Sequence, residues 1–220
     1  MAIPYLQSVK QLTPRALSML DWEQTSISRG SFDRTWWCWK FSDFSAPRLQ
    51  EGVFLLSWLA TESNSFYPSS KREKLIEMSV SAINFWAKLQ HGDGSFDEAY
   101  PNERSLAATA FSAFYVGSAL ECLQGYISQQ QYFKFSKCLE LSGVWLARNG
   151  EYHGILSNHL AAAAAALQVI GDVCQTHKFN KDRDRYLQII FQNQHPKEGW
   201  LKEYGGADPD NRHMYRDSSN

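Results

Sequence analysis

Asp93-Gly94-Ser95-Phe96-Asp97-Glu98 ends one apolar-periodic stretch and leads into the next. Two similar junctions follow: Asn149-Gly150-Glu151-Tyr152-His153-Gly154 and Glu198-Gly199-Trp200-Leu201-Lys202-Glu203-Tyr204. Their glycines lie 56 and 49 positions apart, about the length of a helical hairpin with its connectors. Self-similarity at such a period marks a repeat architecture, in which each unit hides its apolar face only against its neighbours. The expected fold is all-α, built of stacked α/α hairpins.

Working outward, apolar spacing predicts helices over 7–22, 48–62, 70–90, 105–123, 129–148, 158–176 and 181–194. Pro14 suits the first turn of the first helix, and Ser69 or Ser70 suits the cap of the third. Leu49, Val53, Leu56 and Leu59 form the apolar face of the second. The helices alternate in character. Those at 70–90, 129–148 and 181–194 carry large side chains and charges. Those at 105–123 and 158–176 are rich in small residues, the latter holding six consecutive alanines, Ala161 to Ala166. Alternating outer and inner helices describe an (α/α) toroid. Closed forms usually need five to seven hairpins, and about three and a half are visible here. The expectation is an incomplete toroid or open solenoid: a single domain over 1–209, then a polar, irregular tail over 210–220.

Composition narrows the function. The 220 residues carry a net charge of −1, which offers no broad polyanion-binding surface for nucleic acid. Cys38, Cys122, Cys138 and Cys174 are widely spaced, which reads as free thiols. No apolar run approaches the ~20 residues of a membrane span, and the N-terminus lacks the pattern of a secretory signal. A cytoplasmic location with no membrane partner is therefore expected. The aromatic content is high, with 8 Trp, 10 Tyr and 13 Phe. Many of these aromatics lie in connectors, where no turn requires them.

Hairpin topology places every outer-to-inner connector on one rim: 23–47, 91–104, 149–158 and 195–209. Candidate chemistry concentrates there. Ser157-Asn158-His159 opens the alanine-rich helix. Either Ser157 or Asn158 is a plain N-cap, or Asn158 and His159 project into a cleft at the positive end of the helix dipole. Glu98 and Glu203 share an offset from their glycines, which suits either a solvated fold element or a pair of carboxylates acting on a sugar. Tyr204 is a candidate general acid or base. Arg34, Trp36, Trp37, Trp39 and Lys40 form the densest aromatic patch, either a staple over helix ends or a platform for sugar rings. Tyr152 and Trp200 extend the aromatic rim. His153 and His159 have no third ligand at recognisable spacing, so neither a metal nor another cofactor is expected.

In Asp33-Arg34-Thr35-Trp36-Trp37, Gln50-Glu51-Gly52, Asp93 to Glu98, Ser157-Asn158-His159 and Glu198 through Pro209, the chain resembles the toroid domain of heparinase II/III-like and alginate-lyase-like polysaccharide lyases. The resemblance covers most of residues 30 to 209. It implies β-elimination at a uronic acid of an acidic polysaccharide. Asn158 would then neutralise the carboxylate, His159 act as base and Tyr204 as acid. Arg34, Trp36, Trp37, Trp39, Glu98, Tyr152, Trp200 and Glu203 would hold the sugar. Two alternatives remain open. One is a carbohydrate-binding or scaffold domain without catalysis, such as a gene fragment. The other is a terpenoid-cyclase or prenyltransferase toroid, suggested by the Gln90 to Phe96 junction.

Overall fold

A computed structural model describes residues 5–61 and 67–203, and these are all-helical. The α-helices are α1 (Leu6–Met19), α2 (Arg34–Trp37), α3 (Gly52–Thr61), α4 (Arg72–Leu89), α5 (Leu106–Leu123), α6 (Gln129–Arg148), α7 (Ser157–Val173) and α8 (Asn180–Gln192). Short 3₁₀ turns at Pro47–Glu51 and Ser69–Lys71 lead into α3 and α4.

Two layers result. Helices α3, α5 and α7 lie side by side, with α5 in the middle, while α4, α6 and α8 pack behind them. Small residues permit the close inner packing. A Cβ placed on Gly117 of α5 would lie 2.7 Å from Val169 Cγ1 of α7. The 18 residues of α5 have a mean hydropathy of 1.4, enough by composition for a membrane span. That margin is narrower than the sequence reading allows, and burial between neighbouring helices accounts for it. Between the layers, Trp86 stacks on Phe96 with centroids 4.8 Å apart and donates its indole N–H to Ser112 Oγ at 3.0 Å.

Capping explains most boundaries. Ser105 accepts from the Ala108 N–H, and Ser128 with Gln131 forms a full capping box at α6. Ser69 and Ser70 do not cap α4, because Pro68 starts a 3₁₀ turn one step earlier. Pro14 lies inside α1 rather than in its first turn. The 3₁₀ entry to α3 also changes the face presented at its start. Gln50 is fully buried, whereas Leu49 is exposed.

The buried Gln50 reveals the true repeat. Its Nε2 donates to the carbonyls of Gly30 and Ala82, and its Oε1 accepts from the Phe32 N–H. Gln90 likewise donates to the carbonyls of Gly94 and Cys138, and Gln194 to that of Gly199. The three turns close alike. The N–H groups of Gly30, Gly94 and Gly199 reach the carbonyls of Asp21, His91 and His195. In return, the N–H groups of those three residues reach the carbonyls of Ser31, Ser95 and Trp200. All three glycines have positive φ. The equivalent junctions are therefore at Gly30, Gly94 and Gly199. Gly150 departs from the expected alignment: it is not among the positive-φ glycines, and a Cβ there meets nothing within 4 Å. The end of α6 is closed from α8 instead, where Tyr186 Oη lies 2.7 Å from the carbonyls of both Leu146 and Asn149. Burial raises that phenol to about 12.

Within α6, Glu140 binds Lys137 at 2.8 Å and also Lys178, which follows α7. Hydrogen bonds from the two ammonium groups lower its carboxyl to about 2. Because the folded value is depressed, the stabilisation is present above the ordinary glutamate range and lost as pH falls toward about 2. Glu140→Gln should cost up to about 1 kcal/mol at neutral pH and low salt, since the partners are solvated. The difference from wild type should shrink in added salt and disappear in acid, as read by urea melts across pH.

Candidate functional site

The inner-helix N-termini meet the connectors on one rim. The candidate chemistry sits on the first turn of α7. The cap position is Leu156, which makes no side-chain cap, so neither Ser157 nor Asn158 is the N-cap. Capping comes from 45 residues further along. Glu203 Oε1 accepts from the Asn158 N–H at 3.1 Å, and Ser157 Oγ donates to the Lys202 carbonyl at 2.6 Å. A carboxylate at a helix N-terminus satisfies orphan donors and complements the dipole. Asn158 Oδ1 accepts from the His159 N–H at 2.8 Å.

His159 is fixed through its ring. Its Nδ1 lies 2.7 Å from Glu151 Oε2, and its ring stands at right angles to that of Phe111 of α5 with centroids 6.2 Å apart. Glu151 Oε1 takes the His153 backbone N–H at 3.1 Å and His153 Nδ1 at 2.9 Å. The Glu151 side chain is only 5% exposed, whereas that of His153 is 73% exposed. Burial alone would raise the Glu151 carboxyl. Hydrogen bonds from His159 and His153 outweigh it and hold the group below the usual glutamate range.

Glu203 goes the other way. Burial raises its carboxyl, and the Asn158 N–H, the nearby His159 and the Ser157 N–H offset only part of that. A raised carboxyl costs stability once pH exceeds its unfolded value. Glu203→Gln keeps an acceptor for the helix, so it should match or exceed wild-type stability at pH 7. The advantage should fade as pH falls through the ordinary glutamate range. Glu203→Ala should lose about 1 kcal/mol through loss of the cap. Chemical denaturation of both variants at pH 4 and pH 7 checks the pair.

A second cluster adjoins the first through Phe111. Arg48 lies over that ring at 4.0 Å, donates to Glu51 at 2.6 Å and reaches Glu98 at 3.1 Å. Glu98 also accepts from Ser105 Oγ at 2.9 Å, tying the first connector to α5. Glu98 and Glu203, alike in offset, thus both serve inner-helix N-termini.

The aromatic patch is placed differently. Arg34, Trp36 and Trp37 form α2, capped by Asp33, and fold toward α1 and α4. Arg34 donates to the Ser18 carbonyl, Trp37 Nε1 donates to the Met19 carbonyl, and Trp36 packs on Phe85. These contacts belong to the staple reading. Trp39 remains half exposed, with Arg34 beside it and the open ring of Phe41 next to it. Tyr152 is 80% exposed beside His153. Trp200 stacks on His195 within its own turn. Tyr204 and the tail from 205 to 220 lie outside the described residues. Among the described residues, no group of three His, Cys, Asp or Glu side chains is placed to hold a metal ion.

Sequence reasoning missed Arg48, Phe111 and the role of Glu151. Glu151 lies in the second junction, eight residues before His159, where its neighbours signal a turn and not a ring partner.

Comparison with known families supplies the class. Residues 37–218 match the family model described as the ulvan lyase N-terminal domain, a polysaccharide lyase family. The chain belongs to that family. No curated protein and no solved structure matches it. The resemblance thus holds at the level of polysaccharide lyases, and the family matched is the ulvan lyase N-terminal domain.

Proposed function

We propose that this chain is a polysaccharide-lyase domain that binds ulvan or another uronate-containing polysaccharide along its connector rim and cleaves it by β-elimination. The two helical layers are read as part of an incomplete (α/α) toroid akin to those of heparinase II/III-like and alginate-lyase-like enzymes. The observation that carries this is the Asn158–His159 pair, held on the first turn of α7 by Glu151 and Glu203, in a chain of a lyase family.

The chemistry needs three roles. A neutral donor at the uronate carboxylate stabilises charge that develops when the adjacent proton leaves, and the amide of Asn158 takes that role. His159 accepts the proton at Nε2, the ring nitrogen not engaged by Glu151. A carbon–carbon double bond forms as the carbon–oxygen bond to the leaving sugar breaks, and Tyr204 gives a proton to the departing oxygen. Exposed rings at Trp39 and Tyr152 offer flat faces to sugars along the same chain of connectors. Convergent polar groups at the rim and the family membership favour this reading over a terpenoid-processing toroid.

The test is incubation with ulvan, alginate and heparan sulfate, following the ultraviolet absorbance of the unsaturated uronate. Product from one of them, lost in Asn158→Ala, is the expected result. Saturable binding with no unsaturated product would replace the lyase reading with the carbohydrate-binding one. Neither binding nor product would overturn both.

A further inference from the structure

The lyase reading leaves open how His159 presents a lone pair to substrate. An imidazole has two nitrogens, and the hydrogen bond made by one decides which carries the proton. Left to itself, a neutral imidazole favours the proton on Nε2, which would make that atom a donor and useless as a base.

Glu151 is arranged to reverse this. Its two oxygens are divided: Oε1 serves the backbone N–H and ring of His153, and Oε2 faces His159 Nδ1 at 2.7 Å. An ionised carboxylate only accepts, so Nδ1 must carry a hydrogen. The side chain is almost wholly buried, which prevents water from competing for that hydrogen. Other groups around the ring do not impose the opposite choice. Phe111 stands at right angles to the ring and carries no lone-pair acceptor, Arg48 lies over Phe111, Asn158 binds the backbone N–H of His159, and Glu203 is bonded to the Asn158 N–H.

We propose that Glu151 is a positioning residue that fixes His159 as its Nδ1–H tautomer, so that Nε2 presents its lone pair to the substrate proton. The proposal rests on the lyase reading for its purpose, but not for its measurement. His153 has a lesser part: it holds Glu151 Oε1 from the solvent side.

The experiment is nitrogen-15 NMR of the histidine rings in the intact chain, at a pH where His159 is neutral, with His159→Gln to assign its signals. Wild type should show Nδ1 protonated and Nε2 bare. In Glu151→Gln the amide oxygen keeps the His153 N–H and the NH₂ turns to Nδ1, so the proton should move to Nε2. Glu151→Ala should show the same change, and His153→Ala should leave the tautomer as in wild type. With a cleaved polysaccharide in hand, Glu151→Gln should lower kcat about 10- to 100-fold and move KM less than about twofold. A wild-type ring already protonated on Nε2, or a tautomer unmoved in both Glu151 variants, overturns the proposal whether or not the chain has activity. A tautomer that flips with no change in kcat overturns the positioning role alone. Absence of turnover in wild type counts against the lyase reading and leaves the tautomer result standing.

Discussion

Gly94→Ala should be among the most damaging single substitutions in the chain, with a loss of about 4 kcal/mol or more. Two separate causes add. The residue has φ +98°, a conformation costing a side-chain-bearing residue about 1–3 kcal/mol. A Cβ there would also lie 2.3 Å from the Leu141 carbonyl oxygen and 2.4 Å from its carbon. Both are backbone atoms of α6, so no side chain can swing aside. The connector would have to retreat, giving up the bonds from Gln90 Nε2 at 3.3 Å and Ser142 Oγ at 2.9 Å to the Gly94 carbonyl. Two other glycines separate the causes. Gly125 has φ +84° with nothing near its Cβ position, and Gly150 meets nothing and is not a positive-φ residue. Urea denaturation should therefore rank Gly150→Ala near wild type, Gly125→Ala down by about 1 kcal/mol and Gly94→Ala far below both. Equal losses at Gly94 and Gly125 would show that close approach to α6 is not what requires the glycine.

The same glycine shows what the sequence could and could not disclose. Helix positions from Arg72 onward were legible because apolar spacing survives burial. Leu75, Ala82 and Trp86 on α4, and Phe135, Leu139 and Leu146 on α6, face the core as their period requires. The junctions were legible as turns but misaligned. Matching acidic-or-amide-plus-glycine pairs grouped Gly150 with Gly94 and passed over Gly30. Yet Gly30-Ser31-Phe32-Asp33 repeats Gly94-Ser95-Phe96-Asp97 residue for residue, and that identity was the available signal. It was hidden because Asp21 and Ser31 are ten positions apart where His91 and Ser95 are four apart, so the flanks do not align. The site was legible in part for a related reason. Asn158 and His159 follow one another in sequence, whereas the Glu203 that caps their helix is 45 residues away and no local rule points to it.

His159→Ala should lower kcat by about 10²–10⁴, the usual range for a positioned proton acceptor. The effect on folding should be far smaller but not zero, and its cause can be separated. Removing the ring leaves Glu151, a side chain 5% exposed, with only His153 as its imidazole partner. An ionised carboxylate deprived of one bond in that setting costs about 1–2 kcal/mol. His159→Gln can still donate to Glu151 Oε2, so it should recover much of that stability while leaving turnover as low as in the alanine variant. Free imidazole at millimolar concentration should restore part of the rate to His159→Ala, since the vacated space lies between Phe111 and the Glu151 acceptor, and should do nothing for His159→Gln, whose side chain fills it. Such rescue would tie the loss to a missing base rather than to a shifted helix end. If His159→Gln instead regained turnover along with stability, the imidazole would be a structural partner of Glu151, and the proton acceptor would have to be sought elsewhere on the rim.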